Sequence, residues 1–234
     1  MTARAFAHRG LHGRGVSENG MAAFRAAIAA GHGIECDVRP SADGHAIVFH
    51  DATLRRLTGR PARVDALPAS ALAAISLPDG DGIVALDHLL ALCGAETPLL
   101  IEVKARGARV GKVCRAVARD LAAHPAARAA IMSFSPLVLS WFRRHRPGVP
   151  RGLVVSQQSK SRRRGAIERT LALWLARPDF LACDICDLPT PFAARARSIG
   201  MPVLSWTVRS AGERARARAY ADQIIFEDAG TPHD

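Results

Sequence analysis

Residues 33–38 read Gly33-Ile34-Glu35-Cys36-Asp37-Val38, and the fold is best read outward from this stretch. Side chains alternate along a strand, so Ile34, Cys36 and Val38 share one face while Glu35 and Asp37 share the other. The apolar face suits packing against helices. The carboxylates then point inward, at the C-terminal mouth of a parallel barrel, where such barrels keep their functional groups. Two neighbouring inward carboxylates repel each other and are costly to desolvate, so they call for a cation. A hard divalent ion with oxygen ligands, Mg2+ or Ca2+, is the natural occupant.

Residues 99–104, Leu99-Leu100-Ile101-Glu102-Val103-Lys104, repeat the arrangement. Glu102 becomes a third carboxylate, and Lys104 lies on the same face. Lys104 is one of three lysines among 32 basic residues, and a compact ammonium suits an oxyanion approached at close range. The plainer reading is an ion pair between Glu102 and Lys104. Further strand-like runs fall at 5–7, 129–133, 152–155, 180–183, 202–206 and 223–226. Helical patterns at 21–30, 110–123, 136–144, 166–176, 191–198 and 212–219 alternate with them. This alternation predicts an α/β chain whose eight strands close into a (β/α)8 TIM barrel. Residues 40–98 break the rhythm with a short strand at 46–49, followed by irregular loop and short helices over 54–93. They are expected to form an insertion on the functional face of a single domain spanning 1–234.

Histidines stand at two strand ends: His8 in His8-Arg9-Gly10, and His50 in His50-Asp51. One histidine so placed is usually structural. Two at the same mouth as three carboxylates point to a paired acid and base working near neutral pH. Arg9 offers a fork of donors for an oxyanion, and Gly10 permits close backbone approach.

Composition narrows the classes. Apolar residues make up 49% of 234, enough for a core without disulfides, and the five cysteines are odd in number and unevenly spaced. That pattern fits a reducing compartment. Cys183-x-x-Cys186 has no second pair to complete a zinc site and no thioredoxin-like context, so ordinary thiols are expected. The net charge of +11 raises nucleic acid as a partner, but 29 arginines scattered over several helices with few aromatics read as a composition bias. No nucleic acid is expected; the positive field suits anionic small molecules. The first residues lack the apolar core of a signal peptide, and no run approaches a membrane span, so a cytoplasmic protein with no integral membrane segment is expected.

Taken in order, these segments resemble the glycerophosphodiester phosphodiesterase family. The matching stretches are His8-Arg9-Gly10; Glu18-Asn19 with Ala22-Ala23-Phe24; residues 33–38; Asp43-Gly44; and Val48-Phe49-His50-Asp51 with Leu54 and Thr58. Later come Ile101-Glu102-Val103-Lys104, Ser133-Phe134-Ser135-Pro136 and Ser205-Trp206-Thr207-Val208, so the likeness covers nearly the whole chain. The resemblance implies a distorted (β/α)8 barrel with a segment inserted after the second strand. It also implies hydrolysis of a small-molecule glycerophosphodiester to glycerol 3-phosphate and an alcohol. Carried over by position, His8 and His50 become the catalytic acid and base. Glu35, Asp37 and Glu102 become ligands of a divalent metal, and Arg9 and Lys104 bind phosphate.

Trp206 is either a large core residue, or an apolar wall for glycerol or a cation–π partner for choline. Two departures stand out. Gly20 replaces the family's threonine after Glu18-Asn19, leaving Asn19 or Gly20 to cap the next helix. Phe226-Glu227-Asp228-Ala229 replaces the usual Thr-Asp before proline, which alters the last loop and so the specificity. A related barrel phospholipase acting on lysophospholipids is an alternative, as is a non-catalytic anion-binding barrel. The densest basic run, Lys160-Ser161-Arg162-Arg163-Arg164, is expected beside the mouth, either as a solvated helix start or as an attractor of charged substrates.

Overall fold

The computed structural model describes residues 4–105, 107–157 and 162–228, with helical residues 162–168 described by backbone alone. Nine strands follow one another among these residues: β1 (Phe6–His8), β2 (Gly33–Pro40), β3 (Ala46–Val48), β4 (Leu99–Val103), β5 (Ala129–Ser133), β6 (Arg151–Val155), β7 (Phe180–Asp184), β8 (Val203–Val208) and β9 (Gln223–Phe226). Eight of them pair in parallel in the order β1-β9-β8-β7-β6-β5-β4-β2, and a β1–β2 pairing closes the barrel. β3 lies antiparallel on β2, with Val38 opposite Val48. The expected α/β barrel is thus the observed one. Each strand-like run of the sequence became a strand because its apolar residues have a helix layer to pack against.

Alternation sorts the strand residues into two cores. Ile34, Cys36 and Val38 of β2 and Leu99, Ile101 and Val103 of β4 join the large cluster beneath the helices. Phe6, Leu100, Met132, Val154, Phe180, Ala182, Leu204 and Ile225 form the cluster that fills the barrel itself. This interior plug is the floor on which the functional residues rest.

Residues 40–98 hold a short strand and short helices, as expected, and also a core of their own. Ile47, Phe49, Leu54, Val64, Leu72, Ile75, Leu77 and Ile83 form a third, smaller apolar cluster around the helices Arg55–Thr58 and Ala69–Ala73. The stretch read as loop and short helices ends in the helix Leu86–Cys93, whose Leu86, Leu89, Leu90 and Cys93 join the main core. It serves as the crossover helix that leads into β4. Its apolar positions carry the helical period, but Ala85 at its start makes no side-chain capping bond, so the usual start signal is missing. No described helix is long and apolar enough to cross a membrane. Lys160, Ser161 and the side chains of Arg162 to Arg164 lie outside the described residues.

The interior is tight at one point. Gly152 pairs with Phe180, and a Cβ at Gly152 would stand 2.1 Å from the Phe180 ring. The ring fills the space that glycine leaves, and burying a phenylalanine side chain contributes about 1.5–3 kcal/mol. Gly152→Ala is therefore expected to cost about 1–3 kcal/mol through overpacking. Chemical denaturation of the variant beside the parent checks this; an unchanged midpoint would show that the floor repacks freely.

Candidate active site

The parallel register assembles the site. His8 of β1 lies beside Glu35 of β2, and Asp37 lies beside Glu102 of β4. Glu35 and Asp37 are 0% exposed and Glu102 is 7% exposed, and one oxygen from each lies within 4.8 Å of the others. Two cations share this space. Lys104 Nζ is 2.6 Å from Glu102 Oε1 and 2.9 Å from Asp37 Oδ1, so the plainer ion-pair reading of this lysine is what the geometry displays. Arg9 Nε is 3.0 Å from Asp37 Oδ2, and its Nη1 donates to Glu18 at 2.9 Å.

The electrostatics follow from three carboxylates against two cations. Burial pushes Glu35 well above the usual carboxylate range, and the neighbouring Asp37 and Glu102 push the same way. Burial also tends to raise Asp37, but Lys104 and Arg9 outweigh it and hold that carboxyl low. Glu102 is raised by burial, with Lys104 partly offsetting the effect. Glu35 Oε1 is buried with no hydrogen-bond partner among the described residues. A buried orphan of this kind beside two more carboxylates fits a bound cation. The all-oxygen donor set suits a hard divalent ion.

Two backbone turns support the trio. Arg9 and Asn19 both adopt left-handed φ, 56° and 57°. At Arg9 the turn lets its own N–H donate to Glu35 Oε2 at 3.2 Å. Asn19 is a residue type that tolerates this conformation. Its Nδ2 donates to Asp37 Oδ2 at 3.2 Å, and its Oδ1 accepts the Asp37 N–H at 3.3 Å. Gly10 (φ 79°) passes so close to the following helix that a Cβ there would lie 2.8 Å from the Ala23 carbonyl carbon. Asn19 is therefore a ligand of Asp37 and not a helix cap. The free Ala22 N–H at the start of the helix Met21–Ala29 is satisfied instead by Asp81 of the inserted segment, at 2.9 Å.

Both histidines carry a carboxylate on Nδ1. His8 Nδ1 is 2.5 Å from Glu227 Oε1, and Glu227 Oε2 accepts from Arg209 Nε at 2.6 Å. Burial tends to raise Glu227, but the bonds from His8 and Arg209 prevail and hold it at about 2. His50 Nδ1 is 2.7 Å from Asp51, which accepts from Arg56, and Arg56 bonds both oxygens of Glu18. β3 brings His50 here: Phe49 N–H donates to the Asp37 carbonyl at 2.9 Å, and Arg39 Nε to the His50 carbonyl at 2.7 Å. Burial lowers the His50 pKa, with Asp37 offsetting part of the effect.

Trp206 is half-buried. Its Nε1 donates to the Ala182 carbonyl at 3.0 Å, and its ring meets Phe134 edge-on at 5.6 Å. Phe134 is the second aromatic that the sequence did not reveal, and it is 49% exposed. Phe134 and Glu227 each follow a strand directly, on the face where barrel loops form the mouth, and that placement was the signal available for both.

The raised Glu35 sets a pH and metal prediction. Its stabilising protonated form is fully present below the ordinary carboxylate range, and that stability is lost as pH rises through the raised value. Metal-free protein should therefore unfold at a lower temperature at pH 7 than at mildly acid pH. Mg2+ or Ca2+ at about 100 times its Kd should restore about 2.7 kcal/mol at pH 7. Glu35→Gln should remove both effects. Thermal unfolding scans check this; a metal-induced rise of equal size in Glu35→Gln would exclude Glu35 as a ligand.

Comparison with known proteins agrees with this fold. The sequence pattern of the glycerophosphoryl diester phosphodiesterase family matches residues 8–230. A glycerophosphodiester phosphodiesterase of Caldanaerobacter subterraneus is 46% identical over 59 residues, which spans 25% of this chain and 24% of that protein. The chain thus matches about a quarter of that relative's length. The glycerophosphodiester phosphodiesterase structure of Thermotoga maritima shares the fold at a TM-score of 0.76, with 24% identity over 97% of this chain and 95% of its own. An Oleispira antarctica phosphodiesterase, solved with its product sn-glycerol-3-phosphate, superposes at 0.81, with 20% identity over 96% of this chain and 92% of its own. With the family pattern running from the His8 strand end past the last barrel strand, the chain belongs to the glycerophosphoryl diester phosphodiesterase family.

Proposed function

We propose that the protein hydrolyses small glycerophosphodiesters to glycerol 3-phosphate and an alcohol, using His8 and His50 for proton transfer and a divalent cation. The observation that carries this reading is the buried trio Glu35, Asp37 and Glu102, with an unpartnered Glu35 oxygen, between two histidines that are each held at Nδ1 by a carboxylate.

A carboxylate on Nδ1 keeps a proton there and leaves Nε2 to exchange one with the substrate. One imidazole takes a proton from the attacking oxygen. The other gives a proton to the alcohol oxygen as its bond to phosphorus breaks, so one proton is taken up and one released. Burial favours neutral His50, which fits the base. Lys104 contacts Asp37 and Glu102, and an ammonium carries a third donor that would serve a phosphate oxygen. Arg9 adds positive charge at the same floor, although its Nε and Nη1 already serve Asp37 and Glu18. Mg2+ or Ca2+ held by Glu35, Asp37 and Glu102 would offset the charge of the phosphodiester as it passes through the transition state.

The Trp206–Phe134 pair supports a leaving group with an apolar or quaternary ammonium end, since aromatic faces attract such cations. Phe134→Ala should raise KM for glycerophosphocholine roughly two- to fivefold, the scale of an exposed cation–π contact, with little change for glycerophosphoglycerol. Equal effects on both diesters would return Phe134 to a packing role.

A panel of glycerophosphodiesters assayed for glycerol 3-phosphate release with Mg2+, Ca2+ or chelator tests the whole reading. Chelation should abolish turnover. His8→Ala and His50→Ala should each lower kcat by roughly 10²-fold or more while the fold survives. Full activity in excess chelator would sink the metal assignment, and near-normal kcat in either variant would remove that histidine.

A further inference from the structure

His8 stands between two donor sets of different chemistry. On its Nε2 side is Glu35, 3.8 Å away and part of the all-oxygen trio. On its Nδ1 side is Glu227 Oε1 at 2.5 Å, and His12 Nε2 lies 3.8 Å from that same oxygen. One ligand atom from each of His8, His12 and Glu227 lies within 4.8 Å of the others. His12 Nε2 is buried and has no hydrogen-bond partner among the described residues, so it approaches Glu227 without being satisfied by it. Its loop is held in place: Leu11 N–H donates to the Ala23 carbonyl at 3.0 Å, and Gly13 and Val16 exchange bonds of 3.1 and 3.0 Å. Arg209 occupies Glu227 Oε2, which leaves Oε1 as the oxygen shared by the two rings.

We propose that His8 Nδ1, His12 Nε2 and Glu227 Oε1 form a second metal site, one that takes Zn2+ or a similar transition metal and inhibits the enzyme when filled. Two imidazoles and one carboxylate are the donor set of open zinc sites, with a further position left for water. Mg2+ and Ca2+ prefer oxygen ligands, so the two sets sort cations by hardness. Zinc at His8 uses the Nδ1 lone pair and displaces the bond to Glu227. The single proton of the neutral ring then resides on Nε2, so no proton is gained or lost overall. Nε2 becomes a fixed donor with no lone pair to accept a proton, and the ring can no longer complete a cycle of proton exchange. The inhibition rests on His8 acting in proton transfer; the binding does not.

Two measurements keep these parts separate. Glu35→Gln, with the oxygen site impaired, is titrated with Zn2+ and with Co2+ in excess Mg2+. The expected result is one bound equivalent, with Co2+ giving the visible absorption of a nitrogen-ligated ion. His12→Asn in the same background should weaken binding at least about tenfold, since even indirect partners of metal ligands contribute that much. Should Glu35→Gln fail to fold, the parent and His12→Asn in excess Mg2+ give the same comparison. In the activity assay, His12→Asn should keep its Mg2+-supported turnover and tolerate at least about tenfold more Zn2+ than the parent. No binding, or binding and inhibition unchanged by His12→Asn, would overturn the site and leave His8, His12 and Glu227 as a hydrogen-bonded buttress. Tight binding without inhibition would overturn the inhibitory role alone.

Discussion

Three carboxylates are buried side by side at the mouth of this barrel, and much of the surrounding structure answers to that constraint. Glu35, Asp37 and Glu102 cannot all be desolvated as free anions, because burial and mutual repulsion both oppose ionisation. Lys104 and Arg9 supply two positive charges, Asn19 and the Arg9 backbone supply donors, and one Glu35 oxygen is left over. Three carboxylates thus face two fixed cations, and the excess negative charge and the unpartnered oxygen together make this a place that could hold a divalent cation. Lys104 and Arg9 hold Asp37 ionised, while burial favours the protonated forms of Glu35 and Glu102.

The same constraint explains the two strained turns. Left-handed backbone at Arg9 and Asn19 is uncommon outside glycine, and both residues use it to aim donors at buried carboxylates. From Arg9 the network continues outward through Glu18, Arg56 and Asp51 to His50. Glu18 therefore couples the floor of the site to the histidine carried by the inserted segment. That segment does more than decorate the barrel. β3 sets His50 beside Asp37, and Asp79 and Asp81 accept backbone N–H bonds from Ser17 and Ala22, tying the insertion to the loop after β1.

His8 and His50 are alike in having Nδ1 committed to a carboxylate, yet their supports come from opposite ends of the chain. Asp51 is adjacent to His50 in sequence and could be noticed there. Glu227 is 219 residues from His8 and meets it only because β9 closes against β1. Barrel closure thus assembles the candidate site as well as the fold.

The sequence alone determined the strands and which residues face inward, because both depend on local pattern. Alternation in residues 33–38 and 99–104 puts Glu35, Asp37, Glu102 and Lys104 on one face whatever the rest of the chain does. It also marked His8 and His50 as strand-end residues, and the helical period was present even in Leu86–Cys93, where no capping side chain marks the start. What the tertiary structure decided is who meets whom. The Phe134–Trp206 contact, the Glu227–His8 bond and the approach of His12 to both depend on the register between strands and on the closure of β9 onto β1. So does the turn of Arg9 toward Asp37 and Glu18 instead of toward open space. The physical reason is range: side-chain direction is set within a few residues by strand geometry, whereas partner identity is set by packing and charge balance among segments that only the closed barrel brings together.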